Sequence, residues 1–274
     1  MTAMVRGSIH QNHLSAWQTN VHIIGRHPRG QNPMTTSMCE LVATASQILS
    51  AQGHDDLIWG HASVRDTADR GLWIKAAEWG LGEVTGERVH LVGWDGAVLA
   101  GRGARHSEYS IHTEIMAARP DVNAVVHTHP AHAVALAASG QPLLPVSHAA
   151  NMLVPPAIPR FTLTTDLILT PELGKQVAVD LGEADALFLV NHGIVVVGPD
   201  LPTATVRAVV LERACQQQLL TSGFGGWPTW SQPAESIAKR ENIYSARAVQ
   251  AAWDYLVRQI PRTAGHLNTQ EGLS

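Results

Sequence analysis

The chain has 274 residues, 45% of them hydrophobic, so it can bury a sizeable core and fits one ordinary domain better than two. Its formal net charge of -4, without a basic run, argues against nucleic acid or an anionic membrane as a partner and favours a small molecule. We find no apolar stretch near the roughly 18 residues of a membrane span and no signal-peptide core, and the two cysteines lie far apart. A cytoplasmic protein without disulfides is predicted.

The predicted elements alternate between helices and short strands. Ordered structure is predicted for residues 37–258, between flexible tails at residues 1–36 and 259–274, because Ser37 to Glu40 has capping-box spacing and apolar residues then recur at helical intervals up to Gly53. This order predicts a single α/β domain, a mixed central sheet flanked by helices. Strands are predicted at residues 57–64, 72–76, 89–99, 124–127, 186–190 and 194–197. After the first helix, further helices are predicted at residues 107–118, directly after Pro130, and at residues 171–182, 202–220 and 234–258.

Two histidines mark the end of an apolar strand. His127 and His129 are two residues apart, so in extended chain both side chains point to one face. His192 lies in a tight turn between two other apolar strands, where Gly193 lets the backbone approach closely. Three neutral imidazoles suit zinc, iron, manganese or cobalt and leave a position open for substrate. Taken alone, the pattern also fits structural histidines of a core.

The motifs together resemble a known family. His106-Ser107-Glu108, the run from Arg119 to Pro130, and Asn191-His192-Gly193 occur in the order found in the class II aldolase/adducin family, and the resemblance spans roughly residues 37–220. The resemblance implies that His127, His129 and His192 bind one divalent metal ion. It also implies that Glu108, nineteen residues before His127, is the catalytic acid/base, and that the protein is a homotetramer. From the residues alone, Glu108 could equally be a surface carboxylate near a helix N-terminus.

The chain departs from the family where phosphate-using members bind phosphate. It has Gly60-His61-Ala62-Ser63 instead of a Gly-Asn-x-Ser segment, a turn with Glu78 and Trp79 instead of a Thr/Ser-rich one, and His106-Ser107 instead of paired serines. A carboxylate and fewer neutral donors suit a phosphate dianion poorly, so a non-phosphorylated substrate is predicted. The predicted substrate-binding residues are His61, Ser63, Trp79 and Ser107.

Structural roles stay open for some of these residues. His61 could instead bond to the backbone, and the tryptophans, eight in the chain, could fill the core or a subunit contact rather than form a flat pocket wall for an aromatic acid.

Three functions follow from these observations. The first is a metal-dependent lyase, an aldolase or decarboxylase, that breaks a C–C bond of a small hydroxy or keto acid. The second is a non-haem Fe(II) oxygenase of the aminocoumarin-pathway type, which performs oxidative decarboxylation of an aromatic acid. The third is a non-catalytic adducin-like interaction module, which the complete set of predicted ligands disfavours. A cupin oxygenase is disfavoured because no glutamate follows the histidine pair at the short cupin interval.

Overall fold

Eight strands form one mixed sheet in the computed structural model, which describes residues 33–225 and 229–261. The strand order is β4-β3-β2-β1-β5-β8-β7-β6, and all neighbours are antiparallel except β6 and β7. The predicted mixed α/β fold is confirmed. The strands are β1 His61–Arg65, β2 Gly71–Lys75, β3 Val89–Gly93, β4 Val98–Ala100, β5 Ala124–Thr128, β6 Arg160–Phe161, β7 Ala186–Leu189 and β8 Gly193–Gly198.

Eight α-helices cover the two faces of this sheet in the described ranges. One apolar core lies between the sheet and helices α1, α3, α6 and α8, and a second lies between the sheet and α2 and α5. The helices are α1 Pro33–Leu49, α2 Tyr109–Ala118, α3 Ala131–Ser139, α4 His148–Asn151, α5 Pro171–Leu181, α6 Leu201–Gly223, α7 Pro233–Ile243 and α8 Ala246–Gln259.

Strand alternation decides which side chains face the second core. Ala62 and Val64 of β1 pack into the first core, so His61 and Ser63 point to the opposite face, towards α2. Val125 of β5 packs into the second core, and His127 lies on the same face two residues later. Because His61 pairs with His127 across β1 and β5, the topology brings two polar strand ends together.

Several predicted boundaries differ from the observed ones. Helix α1 begins at Pro33, four residues before the predicted start, as suits a proline in a first helical turn. Residues 57–60 form a turn rather than the start of β1, with Leu57 at a positive φ of 51°. The predicted helix over residues 234–258 is two helices, because Ser245 caps a new helix by accepting a hydrogen bond from the Ala248 amide.

The predicted tails fall mainly outside the described residues, which leave out residues 1–32 and 262–274. Among the residues described, no helix has the length and apolar character needed to cross a membrane.

Candidate metal centre

The three predicted ligands converge beside the end of β5. The Nδ1 of His127 donates to the Ile194 carbonyl at 2.9 Å, and the Nδ1 of His129 donates to the Asp56 carboxylate at 2.9 Å. Each neutral ring therefore carries its proton on Nδ1 and keeps a lone pair on Nε2. These two Nε2 atoms lie 3.2 Å apart, so two acceptors face each other.

A cation explains this arrangement. Two imidazole nitrogens bound to one ion at about 2.0–2.1 Å would lie about 2.9–3.4 Å apart, which includes the observed separation. The Nε2 of His192 is buried and has no hydrogen-bond partner among the described residues, and its ligand atom lies within 4.8 Å of those of His127 and His129. The three side chains thus fit a divalent ion, and a site with three protein ligands has coordination positions left for other groups.

His129 and His192 are neutral at physiological pH. Burial, together with the neighbouring His127, lowers the pKa of His129 and of His192 to about 4. Because a ligating imidazole must be unprotonated, neither ring has to lose a proton to bind a metal near pH 7.

The turn between β7 and β8 holds His192 in place. Asn191 adopts a left-handed φ of 58°, and the His192 amide donates to the Leu189 carbonyl at 3.0 Å. Gly193 follows, where an added Cβ would lie 2.6 Å from Cδ2 of His129 and 2.6 Å from the Thr128 carbonyl oxygen. The absence of a side chain at Gly193 therefore lets the ligand rings approach one another.

We expect Gly193→Ala to weaken metal binding by about 5–150-fold, because overpacking of this kind costs about 1–3 kcal/mol. Titration of the metal-free protein with zinc measures the affinity. Gly223→Ala is the matched control, since its Cβ would meet no atom within 4 Å. Equal affinities in the two variants would show that the ligand rings do not depend on this space.

Asp56 orients His129 and was missed by the sequence analysis. Its carboxylate fixes the proton on Nδ1 of His129 and so directs Nε2 towards the other ligands. The residue lies in the loop before β1, and no motif or spacing links it to a histidine 73 positions away.

We expect Asp56→Ala to lower metal affinity by about 10–100-fold, the usual effect of removing such a partner. Asp55→Ala is the control, because the Asp55 carboxylate accepts from the Ser50 hydroxyl instead. Zinc titration of both variants gives the comparison, and similar affinities would contradict the orienting role.

Glu108 lies in the same cluster and not on the protein surface. Its Oε2 is 3.7 Å from Nε2 of His127, and its Oε1 is 3.7 Å from Nε2 of His192 and accepts from the Ile168 amide at 2.8 Å. Burial raises the pKa of this carboxyl, whereas the hydrogen bond from the Ile168 amide lowers it. Glu108 faces the three candidate ligands.

A second group of polar side chains lies behind this cluster. The Nδ1 of His61 is 2.6 Å from Nε2 of His112, and Nδ1 of His112 is 2.6 Å from the Ser63 hydroxyl. Ser63 and His61 are fully buried, and the His61 ring lies tilted against the His106 ring, with the ring centres 3.8 Å apart. The Ser63 hydroxyl is thus hydrogen-bonded to His112, and a substrate contact by Ser63 stays a prediction.

The other two predicted substrate residues are more exposed. Trp79 lies in the turn after β2, with the Arg88 guanidinium 3.5 Å from its ring centre, and Ser107 is exposed just before Glu108. Substrate contacts by Trp79 and Ser107 stay predictions.

Lys75 is a buried cation that the sequence analysis did not consider. Its ammonium donates to the carbonyls of Ile58 and Ala76, and burial lowers its pKa to about 8, so it remains largely charged near neutral pH. Burial lowers the pKa of His61 and of His106, and the charge of Lys75 contributes to the same shift. A buried positive charge beside the cluster favours an acidic ligand.

A cavity of about 500 Å³ lies elsewhere, lined by Arg65, Trp94 and residues of α2 that include Glu114. The three histidines and Glu108 are not among its lining residues. Three imidazole nitrogens and a carboxylate converge in the histidine cluster and not in this cavity.

The protein has an α/β fold with helices on both faces of its sheet. Three imidazole nitrogens and one carboxylate lie together at the end of a strand, where they could hold a metal ion. The sequence model described as "Class II Aldolase and Adducin N-terminal domain" matches residues 40–219. The chain belongs to this family, as the motifs predicted.

Individual relatives agree with the family and differ in their named activities. A 3,4-dihydroxyphthalate decarboxylase of Arthrobacter keyseri is 25% identical over 233 residues, covering 81% of this chain and 93% of the relative. A 4-hydroxy-3-prenylphenylpyruvate oxygenase/4-hydroxy-3-prenylbenzoate synthase of Streptomyces roseochromogenus is 36% identical over 118 residues, 43% of this chain and 42% of the relative. The L-fuculose 1-phosphate aldolase of Glaciozyma antarctica shares the fold, with a TM-score of 0.74 at 22% identity over 86% of this chain and 93% of the other.

Proposed function

We propose that this chain is a divalent-metal-dependent lyase that cleaves a C–C bond of a small, non-phosphorylated hydroxy or keto acid, including aromatic acids. The observation that carries the proposal is the convergence of His127, His129 and His192 with the Glu108 carboxylate, 3.7 Å from two of the ligand nitrogens. The homotetramer implied by the family belongs to the same proposal.

The roles of the residues follow from their free atoms. His127, His129 and His192 would hold the ion, which when bound supplies Lewis-acid stabilisation of negative charge on a substrate oxygen. The Oε1 of Glu108 already accepts from the Ile168 amide, so Oε2 is the atom that accepts a proton.

In the decarboxylase version, Glu108 Oε2 takes the proton of a substrate hydroxyl. The bond between the ring carbon and the carboxylate then breaks, carbon dioxide leaves, and the electron pair stays on the carbon. Glu108 returns its proton to that carbon, and solvent reprotonates the hydroxyl oxygen. His61 would contact an anionic substrate oxygen, a role supported by its buried Nε2, which has no hydrogen-bond partner among the described residues.

We expect 3,4-dihydroxyphthalate to be a better ligand than L-fuculose 1-phosphate. The relative named for the first compound supports an aromatic acid, and the chain lacks the neutral donors of the family's phosphate segments. Lys75 attracts either anion, so charge alone does not decide between them. Turnover and competition at one fixed zinc or manganese occupancy measure the preference. A clear preference for the phosphorylated ketose would favour a strict aldolase.

Oxidative decarboxylation is the second candidate, favoured by the 36% identity to the prenylphenylpyruvate oxygenase. Elemental analysis after anaerobic purification, with carbon dioxide release and oxygen uptake on each acid, separates the two. Iron with oxygen uptake supports the oxygenase, and carbon dioxide release without uptake supports the lyase. A protein that binds no metal and turns over none of the acids would support the adducin-like module instead.

A further inference from the structure

Three fully buried side chains form a hydrogen-bonded chain that ends at the metal cluster. The Ser63 hydroxyl is 2.6 Å from Nδ1 of His112, and Nε2 of His112 is 2.6 Å from Nδ1 of His61. The far nitrogen of the chain, Nε2 of His61, has no hydrogen-bond partner in the described part of the molecule. His61 has a ligand atom within 4.8 Å of those of Glu108 and His127.

The direction of the chain follows from counting protons. If the Ser63 hydroxyl donates to Nδ1 of His112, the His112 proton lies on Nε2 and is donated to Nδ1 of His61. The His61 proton then lies on Nε2 and points into the cluster. In the reverse direction, His61 donates to His112 and His112 donates to the Ser63 oxygen.

The reverse direction leaves a hydroxyl proton unused. Ser63 is buried, and within the described ranges its hydroxyl bonds only to His112, so its proton would have no acceptor. A buried unsatisfied hydroxyl costs about 1–3 kcal/mol, which is a factor of about 5–150 between the two arrangements. Protonation of His61 would also place a proton on Nε2, so its donor role does not depend on the charge of the ring.

We infer that Ser63 and His112 are positioning residues that keep a proton on Nε2 of His61. His61 is then a hydrogen-bond donor to an anionic oxygen of the substrate, and this part of the inference rests on the proposed function.

The protonated Nε2 of His61 also cannot bind a metal. The structure offers two groups of possible ligands, one with His129 and His192 beside His127, the other with His61 and Glu108 beside it. The proton on His61 selects the first group.

The proton positions can be measured without turnover. We would record long-range nitrogen–proton correlation spectra of the full nitrogen-labelled chain, metal-free and zinc-loaded, and assign the His61 signals from their loss in His61→Gln. The expected result is a protonated Nε2 and a bare Nδ1 on His61 in both samples. Zinc should shift the Nε2 signals of His127, His129 and His192. A bare Nε2 on His61, or loss of its proton when zinc binds, would overturn the inference.

Variants of His112 test the positioning role. His112→Met removes the donor, so His61 should show a mixture of both tautomers. His112→Gln offers an amide donor near the position of Nε2 and should restore the single tautomer, which gives a second test if the methionine variant folds poorly. His90→Gln is the matched control, because His90 is also buried in the sheet but bonds to the Arg102 carbonyl. A single unchanged tautomer in a folded His112→Met variant would show that His112 does not set the proton position.

A kinetic test with 3,4-dihydroxyphthalate addresses the substrate contact. His112→Met should raise KM about tenfold or more with a smaller change in kcat, because a hydrogen bond to a charged oxygen is weakened. His112→Gln should recover most of the loss. If the wild-type chain turns over none of the acids, the proposed function fails while the spectra still decide the tautomer. Turnover by a chain with the opposite tautomer overturns only this inference.

Discussion

Replacement of His127 by alanine is expected to remove the bound metal. His127 is fully buried, its Nδ1 is fixed by the Ile194 carbonyl, and its Nε2 lies between the other ligands. Loss of a group that only orients a ligand already costs about 10–100-fold in affinity, so loss of the ligand itself should cost more than about 100-fold. Elemental analysis of the purified variant and zinc titration of the metal-free protein both measure this.

His132→Ala is a close control for His127→Ala. Like His129, His132 places its Nδ1 against a carboxylate, that of Glu212 at 2.6 Å, but it belongs to neither group of possible ligands. It should therefore keep the full metal content even if its removal lowers stability. Circular dichroism separates a folded metal-free protein from an unfolded one. Metal binding of wild-type strength by a folded His127→Ala variant would show that the metal does not bind at this cluster.

The local part of the site could be predicted from sequence. His127 and His129 follow the two-residue period of an apolar strand, and Asn191-His192-Gly193 has the composition of a tight turn. These patterns depend on neighbouring residues only, so they placed each histidine at a strand end. The family resemblance added that His192 binds the same ion as His127 and His129. Periodicity cannot show that these separate segments lie together.

The residues that orient the site could not be predicted, because each acts across a long stretch of chain. Asp56 reaches His129 over 73 positions, His112 reaches His61 over 51, and the Ile168 amide reaches Glu108 over 60. Such contacts depend on the strand order, in which β5 lies between β1 and β8. Nothing in the composition of these segments fixes that order.

Helix boundaries show a similar limit at short range. The sequence predicts one helix over residues 234–258. The chain instead starts a new helix after Ser245, since the Ser245 hydroxyl accepts a hydrogen bond from the Ala248 amide. A single N-cap of this kind contributes about 1 kcal/mol, enough to decide between one continuous helix and two.

Glu108→Gln is expected to slow turnover by about 10² or more while it leaves the fold and most metal binding intact, since this is the usual contribution of a positioned proton-transfer group. The amide is close in shape to the carboxylate, and its oxygen can still accept from the Ile168 amide, so the local backbone should not change. What disappears is the ability of Oε2 to take and return a proton. The measurement is kcat on the best acid, with zinc or manganese content determined in parallel.

The control for Glu108→Gln is Glu114→Gln, on the helix that begins directly after Glu108. Glu114 lies on α2, six residues after Glu108, and lines the separate cavity beside Arg65 and Trp94, so its loss should change kcat less than about twofold. A lower kcat with unchanged KM and unchanged metal content in Glu108→Gln would support a role in proton transfer, because a lost ligand would lower metal content as well. If Glu108→Gln keeps the wild-type kcat at full metal occupancy, the proton must be moved by another group. His61 would then be the next residue to test, because it has a ligand atom within 4.8 Å of those of Glu108 and His127.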